Sequence, residues 1–452
     1  MIVISEARRD ISKIWGNKEP IPEKKYCLLC YSIQLVCEDG MLVLNTISGE
    51  LILLDKNETE RWKAMPALYE PWMDELIRKH FLVPEETDAV QIVENLRKIL
   101  LLLNKKSDIV NYTILPTSAC NARCFYCYEC GDPHITMTEE TASKVVSFIE
   151  AHNGGKPIRI RWFGGEPLIG ANRITQICKE LRERNIKYSS RMVSNGYLFD
   201  EKMVYLAAEE WKLKHIQITL DGTEEIYNKV KAYKSVSDNP FLRVLRNIEL
   251  LLEKDISVDI RLNLGSHNYE DLTELVAQIS YYFPDKQHLN VYSHLLFRDC
   301  GFEPVHFSQS ELQQLLSAQE LLEERIYECG LFTSSEELLS LKRCQCMAND
   351  DASVLINPQG LLGKCEHYAF DHLVGDLSCG VTDKEQVMYW KERETLPNCR
   401  KCSFYPSCLR LKKCDPQLYC YDLFLKAKKK KAILNIKQVY ENYVRKCKRD
   451  RI

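Results

Sequence analysis

With 452 residues, 45% hydrophobic and 28% charged, the chain has enough apolar content to bury more than one core and is not a disordered protein. Its 61 Lys and Arg against 64 Asp and Glu leave a net charge of -3, which provides no field for gripping a nucleic-acid backbone. The start, MIVISEARRDISKIWG, lacks a basic segment followed by an apolar one, and the longest aliphatic run, Ile99 to Leu103, is too short to span a bilayer. A soluble cytoplasmic protein without a membrane or nucleic-acid partner is therefore expected.

In chain order, the first hundred residues read as strands and then helices. Apolar residues alternate from Tyr26 to Val36, a turn falls at Asp39 and Gly40, and Met41 to Leu44 and Glu50 to Leu54 continue as a meander. Asp55 with Glu58 three residues later predicts a helix N-cap, and helices follow through Trp62, around Trp72 to Ile77, and from Asp88 to Leu103. Three strands with three helices suggest a winged-helix-like module over residues 1–108. From 109 to 310 strands and helices alternate. Strands are expected at Val110 to Leu115, Ile158 to Trp162, Tyr188 to Val193, His215 to Leu220, Ser257 to Leu262 and Leu289 to Tyr292. Six such alternations imply a parallel sheet, barrel or open, with its chemistry at the carboxyl ends of the strands. A bridging segment at 311–343 leads to a stretch rich in Cys, Pro and Gly at 344–425, which needs metal clusters more than an apolar core to hold it. A basic helix closes the chain at 426–452, with Lys426 and Lys428 to Lys431 read as a solvated face.

Twenty cysteines in a long chain without an export signal point to metal and not to disulfides. Directly after the first barrel strand stands Cys120-Asn-Ala-Arg-Cys124-Phe-Tyr-Cys127. A turn this tight converges three thiolates on one cluster and leaves one iron open for a cosubstrate. The rival readings are a zinc site completed by Cys130, or buried structural thiols. Cys27 and Cys30 fall on a predicted strand that would aim them to opposite sides, so they read as structural.

The stretch resembles the radical S-adenosylmethionine superfamily at five places. Cys120, Cys124 and Cys127, with Tyr126 as the aromatic, match its Cys-x3-Cys-x-aromatic-Cys signature. Gly164-Gly165-Glu166-Pro167 is similar to its Gly-Gly-Glu-Pro motif, where backbone and Glu166 would meet the methionine ammonium. Ser194-Asn195-Gly196 is similar to its Thr-Asn-Gly. Gln217-Ile-Thr-Leu-Asp221-Gly222 resembles its Ser-Leu-Asp-Gly, and Arg261-Leu-Asn263 resembles the segment that contacts the methionine carboxylate and ribose. The resemblance implies a partial (β/α)6 TIM-like barrel. It also implies a four-iron cluster that cleaves S-adenosylmethionine to a 5'-deoxyadenosyl radical, fed by a low-potential donor such as flavodoxin or ferredoxin.

The later cysteines resemble the SPASM extension, which holds two auxiliary 4Fe-4S clusters. By that resemblance Cys346, Cys365 and Cys414 serve the first cluster, with Cys344 as a possible fourth ligand, and Cys399, Cys402, Cys408 and Cys420 serve the second. Five residues between Cys408 and Cys414, where about three are typical of the extension, set those two positions apart from the usual pattern, and a zinc ribbon on Cys399 and Cys402 is the rival. The front module resembles the leader-recognition domain of enzymes that mature ribosomally made peptides. The resemblance thus implies a maturase of a precursor peptide that forms a thioether or carbon-carbon cross-link. A sulfatase-maturase-like oxidase making formylglycine is the alternative, and an electron-transfer or cluster-sensing protein the reading from another class.

Overall fold

The computed structural model describes residues 1–103, 108–234, 238–296, 308–331, 338–342, 346–393, 395–408, 410 and 422–449. The chain divides into two compact units. The first comprises Met1–Lys105, Ser334–Cys346 and Arg393–Ile452, and the second Lys106–Thr333 and Met347–Glu392.

In the first unit the strands are β1 (Ile2–Ser5), β2 (Lys25–Leu28), β3 (Ser32–Cys37), β4 (Gly40–Asn45), β5 (Leu51–Leu54), β6 (Ala67–Leu68) and β7 (Leu82–Pro84). They form two antiparallel sheets, in the orders β1-β5-β4-β3 and β6-β2-β7. This is more sheet than the three strands expected. The alternating run from Tyr26 to Val36 is split, because the main chain between β2 and β3 finds other partners. Leu29 N–H donates to the Phe81 carbonyl at 3.0 Å, and the Tyr31 carbonyl accepts from Thr46 N–H at 3.0 Å. Leu29 and Tyr31 are both buried, so the break is anchored by core side chains. Helices α1 (Arg9–Trp15), α2 (Lys56–Lys63), α3 (Asp74–Arg78) and α4 (Ala89–Leu103) complete the front part. As the sequence predicts, α2 starts with a capping box in which Asp55 accepts from Glu58 N–H and Glu58 from Asp55 N–H.

The core of this unit draws on distant parts of the chain. Ile11, Leu29, Tyr31, Val93 and Leu100 pack with Leu341 and Tyr405, while Ile33, Leu42 and Leu51 pack with Leu338 and with Ile436 of the C-terminal helix Asp422–Arg449. Buried Arg97 of α4 donates to the carbonyls of Tyr405 and Pro406 and pairs with Glu94 at 2.7 Å. Part of the cysteine-rich segment is thereby built into the same unit as the front residues.

The second unit is the expected strand-helix alternation: β8 (Asn111–Ile114), β9 (Ile158–Trp162), β10 (Tyr188–Ser194), β11 (Leu213–Leu220), β12 (Ser257–Leu264) and β13 (Leu289–Leu295). All five pairings among them are parallel. Their spatial order is their chain order, which winds the sheet in one direction; a doubly wound open sheet would reverse at a switch point. The six-stranded portion is therefore a partial (β/α)6 barrel. Helices α5 (Glu139–His152), α6 (Ala171–Glu183), α7 (Glu201–Tyr205), α8 (Glu224–Lys231), α9 (Pro240–Leu252), α10 (Asp271–Tyr282) and α11 (Gln309–Glu328) lie between or after the strands. The last was expected as part of a bridge, but it packs on β13 and α10.

The sheet continues past β8. Strand β14 (Ser353–Ile356) pairs parallel with β8, and β15 (Leu361–Gly363), β16 (Gly375–Asp376) and β17 (Gly380–Val381) follow antiparallel. The turn between β14 and β15 is fixed by Asn357, whose Oδ1 accepts from Gln359 and Leu361 N–H, each at 3.0 Å, and by Gly360 at φ 84°. Helix α12 (Lys384–Lys391) closes the unit. Among the described residues no helix is long and apolar enough to cross a membrane.

Candidate active site

Because the six strands are parallel, the residues just after them meet at one end of the barrel. The loop after β8 carries Cys120, Cys124 and Cys127. It is fastened by its own turns, Cys124 O accepting from Cys127 N–H at 3.1 Å, and by the end of α8 and the residues after it: Arg123 N–H donates to Lys231 O at 2.8 Å and Lys234 N–H to Asn121 O at 2.9 Å. All three thiols are half-buried. Burial pushes Cys120 up to about 11 and Cys127 up to about 12, and raises Cys124 although the Lys231 charge opposes that. Ala122 N–H lies 3.4 Å from the Cys120 sulfur, and the side-chain amide nitrogen of Asn121 is buried without an acceptor.

After β9 the chain turns through Gly164 at φ 102°. A Cβ at Gly164 would overlap the carbonyl oxygen of Thr117, and one at Gly165 would overlap that of Ala119. Both glycines therefore let the turn lie against the strand-β8 loop. Glu166, fully buried, accepts from Asn195 N–H at 2.8 Å, Leu168 N–H at 3.1 Å and Ser194 Oγ at 2.9 Å. Burial pushes its carboxyl up to about 6 against these donors. Ser194 ends β10 and Asn195 follows it, and Asn195 Nδ2 reaches Asn121 Oδ1 at 2.8 Å. Pro167 opens the 3-10 turn that follows Glu166.

Asp221, beyond β11, is fully buried. Its carboxylate accepts from Tyr126 OH at 2.8 Å, pairs with Lys231 Nζ at 2.8 Å, and accepts from Asn263 Nδ2 at 3.2 Å. Arg261 Nε in turn donates to Asn263 Oδ1 at 2.9 Å. The sequence motifs thus form two connected groups. One is Asn121, Glu166, Ser194 and Asn195; the other is Tyr126, Asp221, Arg261 and Asn263, with Lys231 at its centre.

Two residues that hold the second group escaped sequence reading. Lys231 sits in α8 among ordinary surface lysines, yet Tyr227, Val230 and Lys231 are its buried positions, so a cation on the apolar stripe was the available signal. Burial opposes its charge, but Asp221, Tyr126 and Cys124 outweigh that and raise its pKa well above the ordinary lysine value. Asn268 donates to the carbonyls of Asp221 at 2.5 Å and Asn263 at 2.8 Å. Its only sequence cue was a polar turn after a strand.

A three-cysteine loop, a glycine turn and a buried carboxylate thus gather at the carboxyl end of a partial barrel, where such folds place their chemistry. Residues 114–279 match the Radical SAM superfamily model. The radical SAM cyclopropyl synthase TigE of Paramaledivibacter caminithermalis is 24% identical over 197 residues, 37% of this chain and 41% of that protein. A probable GTP 3',8-cyclase of Methanocaldococcus jannaschii is 26% identical over 202 residues, 41% of this chain and 63% of that protein. The chain therefore spans less than two thirds of the length of these relatives. Among solved structures, anSMEcpe with bound AdoMet and Cp18Cys peptide superposes with TM-score 0.55 at 17% identity, covering 74% of this chain and 99% of that one. Streptococcus suis SuiB superposes with TM-score 0.51 at 13% identity, covering 88% and 99%. At these identities the likeness is one of fold.

The superfamily implies a 4Fe-4S cluster and S-adenosylmethionine, and the residues fit both. Three thiols share one loop with an unpaired amide donor beside it, and the glycine turn approaches that loop as closely as backbone allows. When bound, the pair supplies a radical able to abstract hydrogen from an unactivated carbon. Cys120, Cys124 and Cys127 would hold the cluster from one loop, and Glu166 stays buried behind the glycine turn. Gly164→Ala is expected to weaken S-adenosylmethionine binding about tenfold or more, since its φ and its contact with Thr117 both exclude a side chain. Equilibrium dialysis against labelled S-adenosylmethionine measures this, and unchanged affinity would contradict the role given to the turn.

The later cysteines are placed as follows. Cys344, Cys414 and Cys420 lie outside the described residues. Cys346 belongs to the first unit and Cys365 to the second. Cys399, Cys402 and Cys408 are half-buried in the first unit, the first two against the core of Leu29, Tyr31 and Tyr405. Cys27 packs on that same core and Cys30 is exposed.

Proposed function

We propose that this protein matures a ribosomally made precursor peptide, forming a thioether or carbon-carbon cross-link after hydrogen abstraction at the barrel. The observation that carries the reading is a sheet edge in the first unit that no strand pairs with among the described residues. Cys37 and Gly40 pair across the two-residue loop Glu38-Asp39, so alternate positions Ser32, Gln34 and Val36 turn their main-chain groups away from β4. Strand β3 is the last of its sheet, and Gln34 and Val36 are exposed. Such an edge accepts an extended peptide as an added strand. One fold neighbour holds AdoMet together with a peptide, which supports a peptide substrate here.

The same proposal includes two auxiliary 4Fe-4S clusters on the later cysteines and a flavodoxin or ferredoxin donor. The second reading, a formylglycine-forming oxidase, is favoured by the higher TM-score of anSMEcpe.

Removing residues 1–105 would strip a core shared with Leu338, Leu341, Tyr405 and Ile436, so substitution is the cleaner test. Proline at Gln34 or Val36 deletes an outward N–H while leaving the β3–β4 ladder intact. Binding of the precursor encoded by the neighbouring short reading frame is expected to weaken about tenfold, with uncoupled 5'-deoxyadenosine formation retained. Unchanged precursor affinity in both variants would refute the edge as the recognition site.

A further inference from the structure

The barrel interior carries more positive charge than its own carboxylates neutralise. Along β9, Ile158, Ile160 and Trp162 are buried, so Arg159 and Arg161 occupy the opposite, inner face. Along β10, Ser190, Met192 and Ser194 are buried and Arg191 lies on the other face. Register sets Arg191 beside Arg161 on one side and His215 on the other.

The inner carboxylates are already engaged. Glu366 pairs with Arg161 at 3.1 Å, and Asp259 pairs with His215 at 2.9 Å while accepting from Asn290 at 3.1 Å. Arg261 is tied to Asn263 in the layer described above. Arg191 alone of this group has no hydrogen bond or ion pair among the described residues. Burial, and after it the charge of Arg161, presses its guanidinium below the ordinary arginine value. Arg191 is exposed on that inner face, and a cation held beside a second cation is stabilised when an anion joins it.

We propose that Arg191, with Arg161 beside it, binds a carboxylate of the substrate peptide inside the barrel. The source is an Asp or Glu side chain near the modified residue, or the peptide's own C-terminus. A planar guanidinium fork matches a carboxylate in two parallel hydrogen bonds. One unpaired cation calls for one negative charge, whereas a dianionic phosphate would also face Glu366. Arg191 lies four residues before Asn195, about 13 Å along the strand, so the carboxylate would anchor the substrate deeper in the barrel than the cosubstrate layer. This inference rests on the peptide-maturase reading and adds to it a preference for an acidic substrate residue.

The test uses the full, cluster-reconstituted chain with small probes. These are N-acetylglutamate N-methylamide for a side-chain carboxylate, N-acetylalanine for a C-terminus, and GMP for a phosphate. Affinities are measured by titration calorimetry, and protection of Arg191 from phenylglyoxal is mapped by mass spectrometry. One or both carboxylate probes should bind and protect Arg191. Arg191→Gln should weaken them about tenfold, Arg191→Lys should lose less, and both variants should keep wild-type 5'-deoxyadenosine output in the absence of peptide because Arg191 makes no other hydrogen bond or ion pair among the described residues. Carboxylate binding unaffected by Arg191→Gln, or Arg191-dependent binding of GMP alone, would overturn the inference. Loss of 5'-deoxyadenosine formation in the wild-type chain would instead overturn the proposed function.

Discussion

Replacing Cys120, Cys124 and Cys127 together with Ala is expected to abolish S-adenosylmethionine cleavage and to remove about four of about twelve irons from the anaerobically reconstituted chain. The loop is held by main-chain bonds from Arg123 to Lys231 and from Lys234 to Asn121, none of which the substitutions remove. The defect should therefore be local. Iron analysis and the yield of 5'-deoxyadenosine after reduction check this. Loss of all iron would show that the proposed auxiliary clusters depend on the first, and retained cleavage would refute the ligand assignment.

The second large effect concerns stability. Lys231 and Asp221 are 3% and 0% exposed and form a direct ion pair. Removing one partner leaves an uncompensated buried charge, which costs about 3–5 kcal/mol. Lys231→Met and Asp221→Leu should each lower stability by that order, and the double variant should recover much of the loss because neither charge remains. The sign with pH is fixed by the raised pKa of Lys231. Its contribution is complete below the unfolded lysine value of about 10.4 and fades only as pH rises through the folded one. The gap between wild type and Lys231→Met should thus be constant from neutral to mildly alkaline pH. A gap that closes there, or a double variant no better than the singles, would contradict the pairing.

Much of the barrel end was legible in the sequence because its motifs constrain backbone. Gly164 stands where φ is 102°, and Glu166, Ser194 and Asn195 occur at strand ends, where periodicity changes. Side chains whose role depends on distant partners left weaker traces. Lys231 matters through Asp221, ten positions away, and Tyr126, and nothing near it in the chain announces either. Pairing of β14 with β8 joins Ser353 to Asn111, a contact too remote for periodicity to register. The split between β2 and β3 was likewise invisible, since alternation ran through Leu29 and Tyr31 while their hydrogen bonds went to Phe81 and Thr46. Arg191 read as one more polar residue of a half-buried strand; only the register with Arg161 exposed its isolation.

The most direct test of the proposed function is tandem mass spectrometry of the precursor peptide after incubation with reduced, reconstituted enzyme and S-adenosylmethionine. The proposal predicts that the peptide loses two hydrogens as 5'-deoxyadenosine accumulates, and that fragmentation is blocked between the joined residues. An unaltered peptide, or a product that fragments freely and reacts as an aldehyde with a hydrazide probe, would contradict it.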